Sequence, residues 1–343
     1  MPLLSHFEAL LVAPEYVPRG RLLDLLPIRD VIRLGRTSSL VHEVVVQYTK
    51  TRWNIDRFLQ LWFWDTTAFR AALAFTGAVI GGSQALRFMD RLAPAAKSDL
   101  DVVTRVGGVL ALSRFLEDQG YNQAERPTPQ AERYPIMTDA LSMTSSKEFC
   151  RGGGTDGIID IVDFEKPAQG AANRYTSVLK VQLIVVTQNP IHHIIYTYHS
   201  TVVMNYINHK EAVSVFPRAT FCDRTTYPSS RKPLGPGWDP VWKTKYEKRG
   251  FRTEITSSHP SSLILGERWV KDGHSMCIQL QGGQTSRLQR EEKRSQYTTY
   301  PDDKVMFELS LLHEKGPDEK ERYRLGVFEP EVWDYLYPWY ILQ

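Results

Sequence analysis

Apolar positions between Leu22 and Tyr48 recur at helical spacing: Leu22, Leu25, Leu26, Val31, Ile32, Leu34, Leu40, Val41, Val44, Val45 and Tyr48. Asp24 is placed to cap the first short helix, and the Thr37-Ser38-Ser39 cluster the next. Residues 1–20, punctuated by Pro2, Pro14 and Pro18, read as irregular. Trp53, Phe58, Leu61, Trp62, Phe63, Trp64 and Phe69 form an aromatic-dense helical zone that ends near Ala74. Rings at that density are the usual stuff of a core packed against a sheet, in preference to a base-stacking platform.

The period then changes. A short β-branched run at 78–80 predicts a strand, 84–92 a helix, 100–103 a second strand, and 109–119 a helix ended by Gly120. Such alternation predicts a sheet shared between helices. Residues 122–155 are rich in Pro, Ser, Thr and Gly and read as a long insertion. Its closing Gly152-Gly153-Gly154 has no helix pattern or Lys behind it at phosphate-loop spacing. Runs at 158–164 and 177–186 predict a β-hairpin, followed by a helix over 190–198 and an apolar run over 200–207. Beyond Phe221 come a Pro/Gly-rich stretch to Pro240, a basic helix over 242–249 closed by Gly250, and two apolar runs within 255–277. Residues 282–304 read as a polar loop, and the aromatic tail from Phe328 to Leu342 as docked on the core. The expectation is an α/β (α+β) protein: a mixed-sheet core over 66–221, a helical N-terminal cap over 1–65 and an α+β extension over 222–343.

The totals narrow the class. In 343 residues, 42% hydrophobic and 24% charged side chains describe an ordinary globular protein of two domains, or one with large additions. A net charge of +3 does not by itself imply nucleic-acid binding, and an RNA partner gains no support from it. The three cysteines, Cys150, Cys222 and Cys277, are too scattered for a disulfide framework or zinc site. A reducing compartment, cytosol or nucleus, follows as the expectation. The apolar stretch around 71–80 is too short to span a bilayer, and no basic-then-apolar leader opens the chain.

The chemistry gathers at 81–101. Asp99 and Asp101, one residue apart on a strand, point to the same face. Two hard oxygen ligands side by side suit Mg²⁺, which takes few carboxylates together with substrate phosphates. Gly81-Gly82-Ser83 just before a helix offers N–H groups and a hydroxyl to an anion. Arg218, Lys245, Lys248 and Arg249 are cations available to a triphosphate or an RNA backbone, although a solvated helix face is the commoner use of such a cluster. His192 and His193 are adjacent and point apart, with no partner at zinc-site spacing. His199-Ser200 is a hydrogen-bonding pair without an acidic orienter.

Hydrophobic strand, Gly-Ser, helix and then Ser98-Asp99-Leu100-Asp101 on the next strand resemble the signature of the nucleotidyltransferase fold, the polymerase-beta-like group. The link from Ser83 to Asp99 is longer than usual for that pattern. Over most of its length, in stretches such as GGSQALRFMDR, SDLDVV, KVQLIVV, YHSTVVMN, FPRATF and KYEKRGF, the chain also resembles a large, uncharacterised family of mushroom-type fungal proteins. Pro27 and the Ile28 to Leu34 segment partly resemble the middle of an F-box. The first resemblance implies Asp99 and Asp101 as metal ligands, Gly82, Ser83, Arg218 and Lys245 as nucleotide-phosphate contacts, and a third catalytic carboxylate where this chain has Gln182. A neutral amide supplies neither charge nor a base. Asp160, Asp163 and Glu165 lie on the partner strand of the hairpin, Asp163 and Glu165 on one face, as substitutes. The implied function is Mg²⁺-NTP binding with reduced or absent transferase activity. The alternatives are an F-box-like adaptor that binds a protein partner through its N-terminal helices, and an active transferase on an unidentified acceptor.

Overall fold

The computed structural model describes residues 5–12, 19–124, 157–229, 241–254, 262–282, 285–294, 305–315 and 321–328. Most of the 122–155 insertion with its glycine run, Cys150, the proline-rich stretch from 230 to 240 and the tail beyond Phe328 lie outside them.

Among the described residues six helices come first: α1 His6–Val12, α2 Arg19–Asp24, α3 Ile28–Leu34, α4 Ser39–Arg52, α5 Ile55–Leu59 and α6 Thr66–Thr76. The start of α4 is set as expected, since Ser38 Oγ accepts from the Val41 N–H at 3.3 Å. Residues 6–12 and 19–20, expected to be irregular, are helical. Ser5 and Glu8 cap α1 reciprocally, the Ser5 N–H donating to Glu8 Oε2 at 3.0 Å and the Glu8 N–H to Ser5 Oγ at 3.2 Å. Asp24 ends α2 rather than starting a helix; its carboxylate accepts from Tyr48 Oη at 2.7 Å and pairs with Arg52 Nε at 3.0 Å. Helix α6 is bounded by Asp65 Oδ1, which accepts from the Ala68 N–H at 2.8 Å, and by Gly77 at φ 66°.

Then follow β1 Val79–Ile80, α7 Gly82–Met89, β2 Leu100–Arg105, α8 Val106–Asp118, β3 Asn122–Gln123, β4 Ile158–Pro167, β5 Val178–Val186, α9 Pro190–Thr197, β6 Asn205–Ile207, β7 Glu211–Ser214 and β8 Thr225–Thr226. The C-terminal part adds α10 Val241–Glu247, β9 Arg252–Thr253, β10 Gly266–Trp269, β11 Met276–Gln279, α11 Ser286–Arg294, β12 Met306–Lys315 and β13 Glu321–Phe328. Helix α11 falls where a polar loop is expected. Only its Leu288 is buried, so its sequence carries almost no apolar stripe.

The fold is α+β around a mixed sheet of eight strands in the order β11-β7-β6-β1-β2-β5-β4-β3. Strands β2 and β5 run parallel, and β4 and β5 form the expected antiparallel hairpin. Alternation sorts the strands' side chains onto two faces. Ile80, Val102, Leu183 and Val162 join the aromatic zone (Trp53, Phe58, Trp62, Phe63, Phe69) in one core. Val79, Val103 and Val186 face the other way, against Ile191, Ile194 and Ile195 of α9 and against Phe307, Leu309 and Val327 of the last two strands. Burying such side chains contributes roughly 1.5–3 kcal/mol each, so both faces are strongly specified.

The segments on either side of residues 66–221 build the same body. Ile28 and Trp53 from the N-terminal helices, and Phe251 and Leu280 from the C-terminal part, share one core with the central strands. Strand β11 is itself an edge of the main sheet, paired with β7. Leu11, Leu23, Val31, Val41, Val45 and Tyr48 form a small separate core among the first four helices. Among the described residues no helix is long and apolar enough to cross a membrane.

Candidate functional site

Asp101 lies on the face of Val103, the one that α9 covers. Cross-strand register extends the row: Asp101 pairs with Gln182 on β5, and Gln182 with Asp163 on β4. One carboxylate, one amide and one carboxylate therefore stand abreast on three neighbouring strands. The hairpin places Lys180 opposite Glu165 in the row behind. Asp99 immediately precedes Leu100, whose partner is Val181, so it falls beside Lys180.

The bend before α7 closes on Asp101. The Gly81 N–H donates to the Asp101 carbonyl at 2.9 Å, and the Ser83 N–H donates to the Asp101 carboxylate. This carboxylate takes the place of an N-cap side chain, which Gly81 lacks. Gly82 has φ +61°, and a Cβ there would overlap the Asp101 carboxylate. A Cβ at Gly81 would lie 2.5 Å from Tyr198 Oη. Two glycines are thus required because backbone, acid and phenol converge on one point. Gln84, fully buried, fixes the approach to Asp99: its Nε2 donates to the carbonyls of Ala95 and Ser98 at 2.9 Å each.

The electrostatics follow from crowding. Burial, and secondly the Asp99 charge, push the Asp101 carboxyl up to about 7, against Lys245, the Ser83 N–H and Lys180. Asp99 is also raised, chiefly by burial; Lys180 opposes this, Asp163 adds to it, and Lys245 opposes it. Lys245, on α10, is lowered by burial and by Arg249, while Asp101 and Asp99 pull it back up. Asp163 is engaged at both oxygens: Gln182 Nε2 donates to Oδ1 at 2.8 Å, and Lys180 Nζ lies 2.8 Å from Oδ2.

An aromatic wall flanks the acids. His199 stacks on Trp242 of α10 with ring centroids 4.4 Å apart, and its Nδ1 lies 2.8 Å from Ser200 Oγ, the pair expected from sequence. Burial, and secondly Lys245, push the His199 imidazole down to about 4, so it is neutral at pH 7. Tyr198 is driven upward by burial and by Asp101.

The structure thus brings Asp99, Asp101, Gly82, Ser83, Gln182 and Lys245 together. It leaves Arg218 out: this exposed side chain sits 3.9 Å from Asp223 and shares the surroundings of Cys222 with Arg29. The cations that act on Asp99 and Asp101 are Lys180 and Lys245. The buried His193 contacts Thr197 and meets Tyr198 edge-on, a packing role. Lys180, Gln84, Tyr198 and Trp242 join the site without having been singled out from sequence. Lys180 and Gln182 share a strand face by alternation, and that signal was available. Among the described residues no group of three or more His, Cys, Asp or Glu side chains is placed to hold a metal ion. Comparison of the chain with protein-family models, with curated proteins and with solved structures finds no match.

Proposed function

We propose that the chain is a nucleotidyltransferase-like protein of the cytoplasm or nucleus that binds Mg²⁺-NTP and transfers nucleotide slowly or not at all. The observation that carries this reading is the seating of the Asp101 carboxylate against the Gly81-Gly82 bend, with Asp99 beside it and Lys245 opposite.

The donor set fits one Mg²⁺. Two crowded carboxylates, one of them held half-protonated near neutrality, gain from a divalent cation that relieves their repulsion, and phosphates complete its coordination. When bound, the ion would neutralise phosphate charge. Asp99 and Asp101 would hold it, while Gly82, Ser83 and Lys245 would face the phosphates. Gln182 stands where a third acid would be shared with a second ion, and a neutral amide there removes on the order of 10²-fold or more in transfer rate. Asp163, the substitute carboxylate, is already bound to Gln182 and Lys180.

Calorimetry with ATP and Mg²⁺ on the intact chain and on Asp99→Ala/Asp101→Ala tests the assignment. Metal-dependent binding by the first and not the second supports it; equal binding by both removes it. Incubation with each labelled NTP and several acceptors separates a slow transferase from a binder.

A second reading rests on the small core of the first four helices. Leu25 beside Pro27 is 84% exposed, and Ile32 43%, an apolar edge of the kind an F-box-like adaptor presents. Failure to capture a ubiquitin-ligase adaptor subunit in a pull-down argues against it.

A further inference from the structure

Lys180 has no part in holding a magnesium–nucleotide complex as described, yet it is the cation closest to the row of acids. It precedes Gln182 by two residues on β5 and so shares its face. Its ammonium lies 2.8 Å from Asp163 Oδ2, and its register partner on β4 is Glu165. On the other side stands Asp99, and Lys180 is the charge that acts on it most strongly. The ammonium therefore sits among three carboxylates, Asp163 and Glu165 on β4 and Asp99 just before β2. The Asp163 oxygens are divided between Lys180 and the Gln182 amide.

In-line transfer with two divalent cations places them roughly 3.5–4 Å apart, bridged by shared carboxylates. On this chain the ground next to Asp99 on the Asp163 side is taken by a tethered ammonium. We infer that Lys180 is a resident second cation, so that the site takes one divalent ion per nucleotide. This rests on the Mg²⁺-nucleotide reading above. An ammonium brings one positive charge and three donors. It offers no open coordination position, so it does not acidify an acceptor hydroxyl as a divalent ion does. Lys180 and Gln182 together then account for a site that holds a nucleotide without activating an acceptor. An ordinary strand-surface ion pair adds little to stability and has no bearing on metal stoichiometry; the two accounts differ in what can be measured.

The experiment is titration of the full chain with Mn²⁺ in the presence of a non-hydrolysable ATP analogue, followed by calorimetry and electron paramagnetic resonance. Wild type takes one Mn²⁺ per chain with the spectrum of an isolated ion. Lys180→Met takes two, with the spin coupling of a close pair. Lys180→Met/Asp163→Asn returns to one, and Lys180→Arg, which keeps the charge, stays at one. Lys180→Gln serves in place of Lys180→Met should the latter melt at a clearly lower temperature. Two ions in wild type, or one in both Lys180→Met and Lys180→Gln, overturn the inference while leaving nucleotide binding intact. No nucleotide-dependent Mn²⁺ binding by wild type removes the Mg²⁺-nucleotide reading itself, and the inference falls with it.

Discussion

Gly82 and Asp101 exclude each other's enlargement. A Cβ at residue 82 would stand 3.0 Å from the Asp101 carboxyl carbon and overlap one of its oxygens, at a backbone φ of +61°. Gly82→Ala therefore costs left-handed strain of roughly 1–3 kcal/mol and also displaces the carboxylate that caps α7. Gly120, at φ +81° with nothing within 4 Å of an added Cβ, supplies the comparison. Gly120→Ala lowers the urea midpoint modestly and leaves Mg²⁺-ATP binding alone, whereas Gly82→Ala lowers the midpoint further and abolishes binding. Equal loss of stability and retained binding in both would show that the Gly82–Asp101 contact is of no consequence.

The raised Asp101 carboxyl makes a prediction about pH. Its folded-state value of about 7 lies above the ordinary 3.8, so the folded chain holds a proton that the unfolded chain releases. That stabilisation is complete below about pH 4 and is lost as pH rises toward 7; Asp99, also raised, acts with the same sign. Taken alone, the pair makes the metal-free chain less stable at pH 7 than at pH 5.5, by up to about 1.4 kcal/mol per unit for each proton exchanged. Asp101→Asn flattens this slope in thermal melts at fixed ionic strength. Mg²⁺-ATP affinity moves the opposite way and rises with pH through 7, because the ion competes with the proton. A melting profile unchanged by Asp101→Asn would contradict the assignment.

Much of this site is legible in the sequence, and the reason is local. Period-two alternation put Asp99 with Asp101 and Asp163 with Glu165, and the hairpin follows from two β-rich runs and a turn. The α1 capping box, Ser5 to Glu8, is equally local: a Ser is followed three residues later by Glu at the head of a short apolar run. What local pattern does not hold is which distant cation reaches the acids. Arg218 and Lys245 look alike in sequence; only the packing of α10, whose Trp242 stacks on His199, brings Lys245 to Asp101, while Arg218 stays on Asp223. Helix α11 was unreadable for a different reason, since one buried leucine makes no periodicity.

Arg91 fastens the N-terminal helices to the rest of the chain. Its Nη1 donates to the Leu23 carbonyl at 3.2 Å and to Tyr48 Oη at 2.9 Å, and its Nη2 to the Leu26 carbonyl at 2.8 Å. It does so from φ 59°, a conformation rare for a side chain of this kind. Arg91→Ala keeps the backbone strain and removes all three bonds, a loss of roughly 1.5–3 kcal/mol for each charged donor that goes unreplaced by water. Limited proteolysis then cuts the first four helices faster than the body. Arg91→Gly, which relieves the strain, restores part of the global stability but not the protection. Unchanged cleavage in Arg91→Ala would mean that the shared core at Ile28 and Trp53 suffices to hold the helices in place.

Gln182→Glu puts a charge into the middle of the row Asp101–residue 182–Asp163. The donor that satisfied Asp163 Oδ1 becomes an acceptor, which alone removes about 1–3 kcal/mol, and carboxylate repulsion adds to the loss. In chelator the variant therefore melts well below wild type. Mn²⁺ reverses the order of gains: a third carboxylate next to Asp101 tightens ion binding, and an ion at 100 times its dissociation constant adds about 2.7 kcal/mol to the folded state. The melting temperature of Gln182→Glu should then climb further with Mn²⁺ than that of wild type. Gln182→Met, which breaks the same hydrogen bond without adding charge, should lose stability in chelator and recover no more than wild type when the ion is added. If Mn²⁺ raised all three melting temperatures alike, residue 182 would lie outside the reach of any ion held by Asp99 and Asp101, and the row of side chains across β2, β5 and β4 would be packing rather than a ligand set.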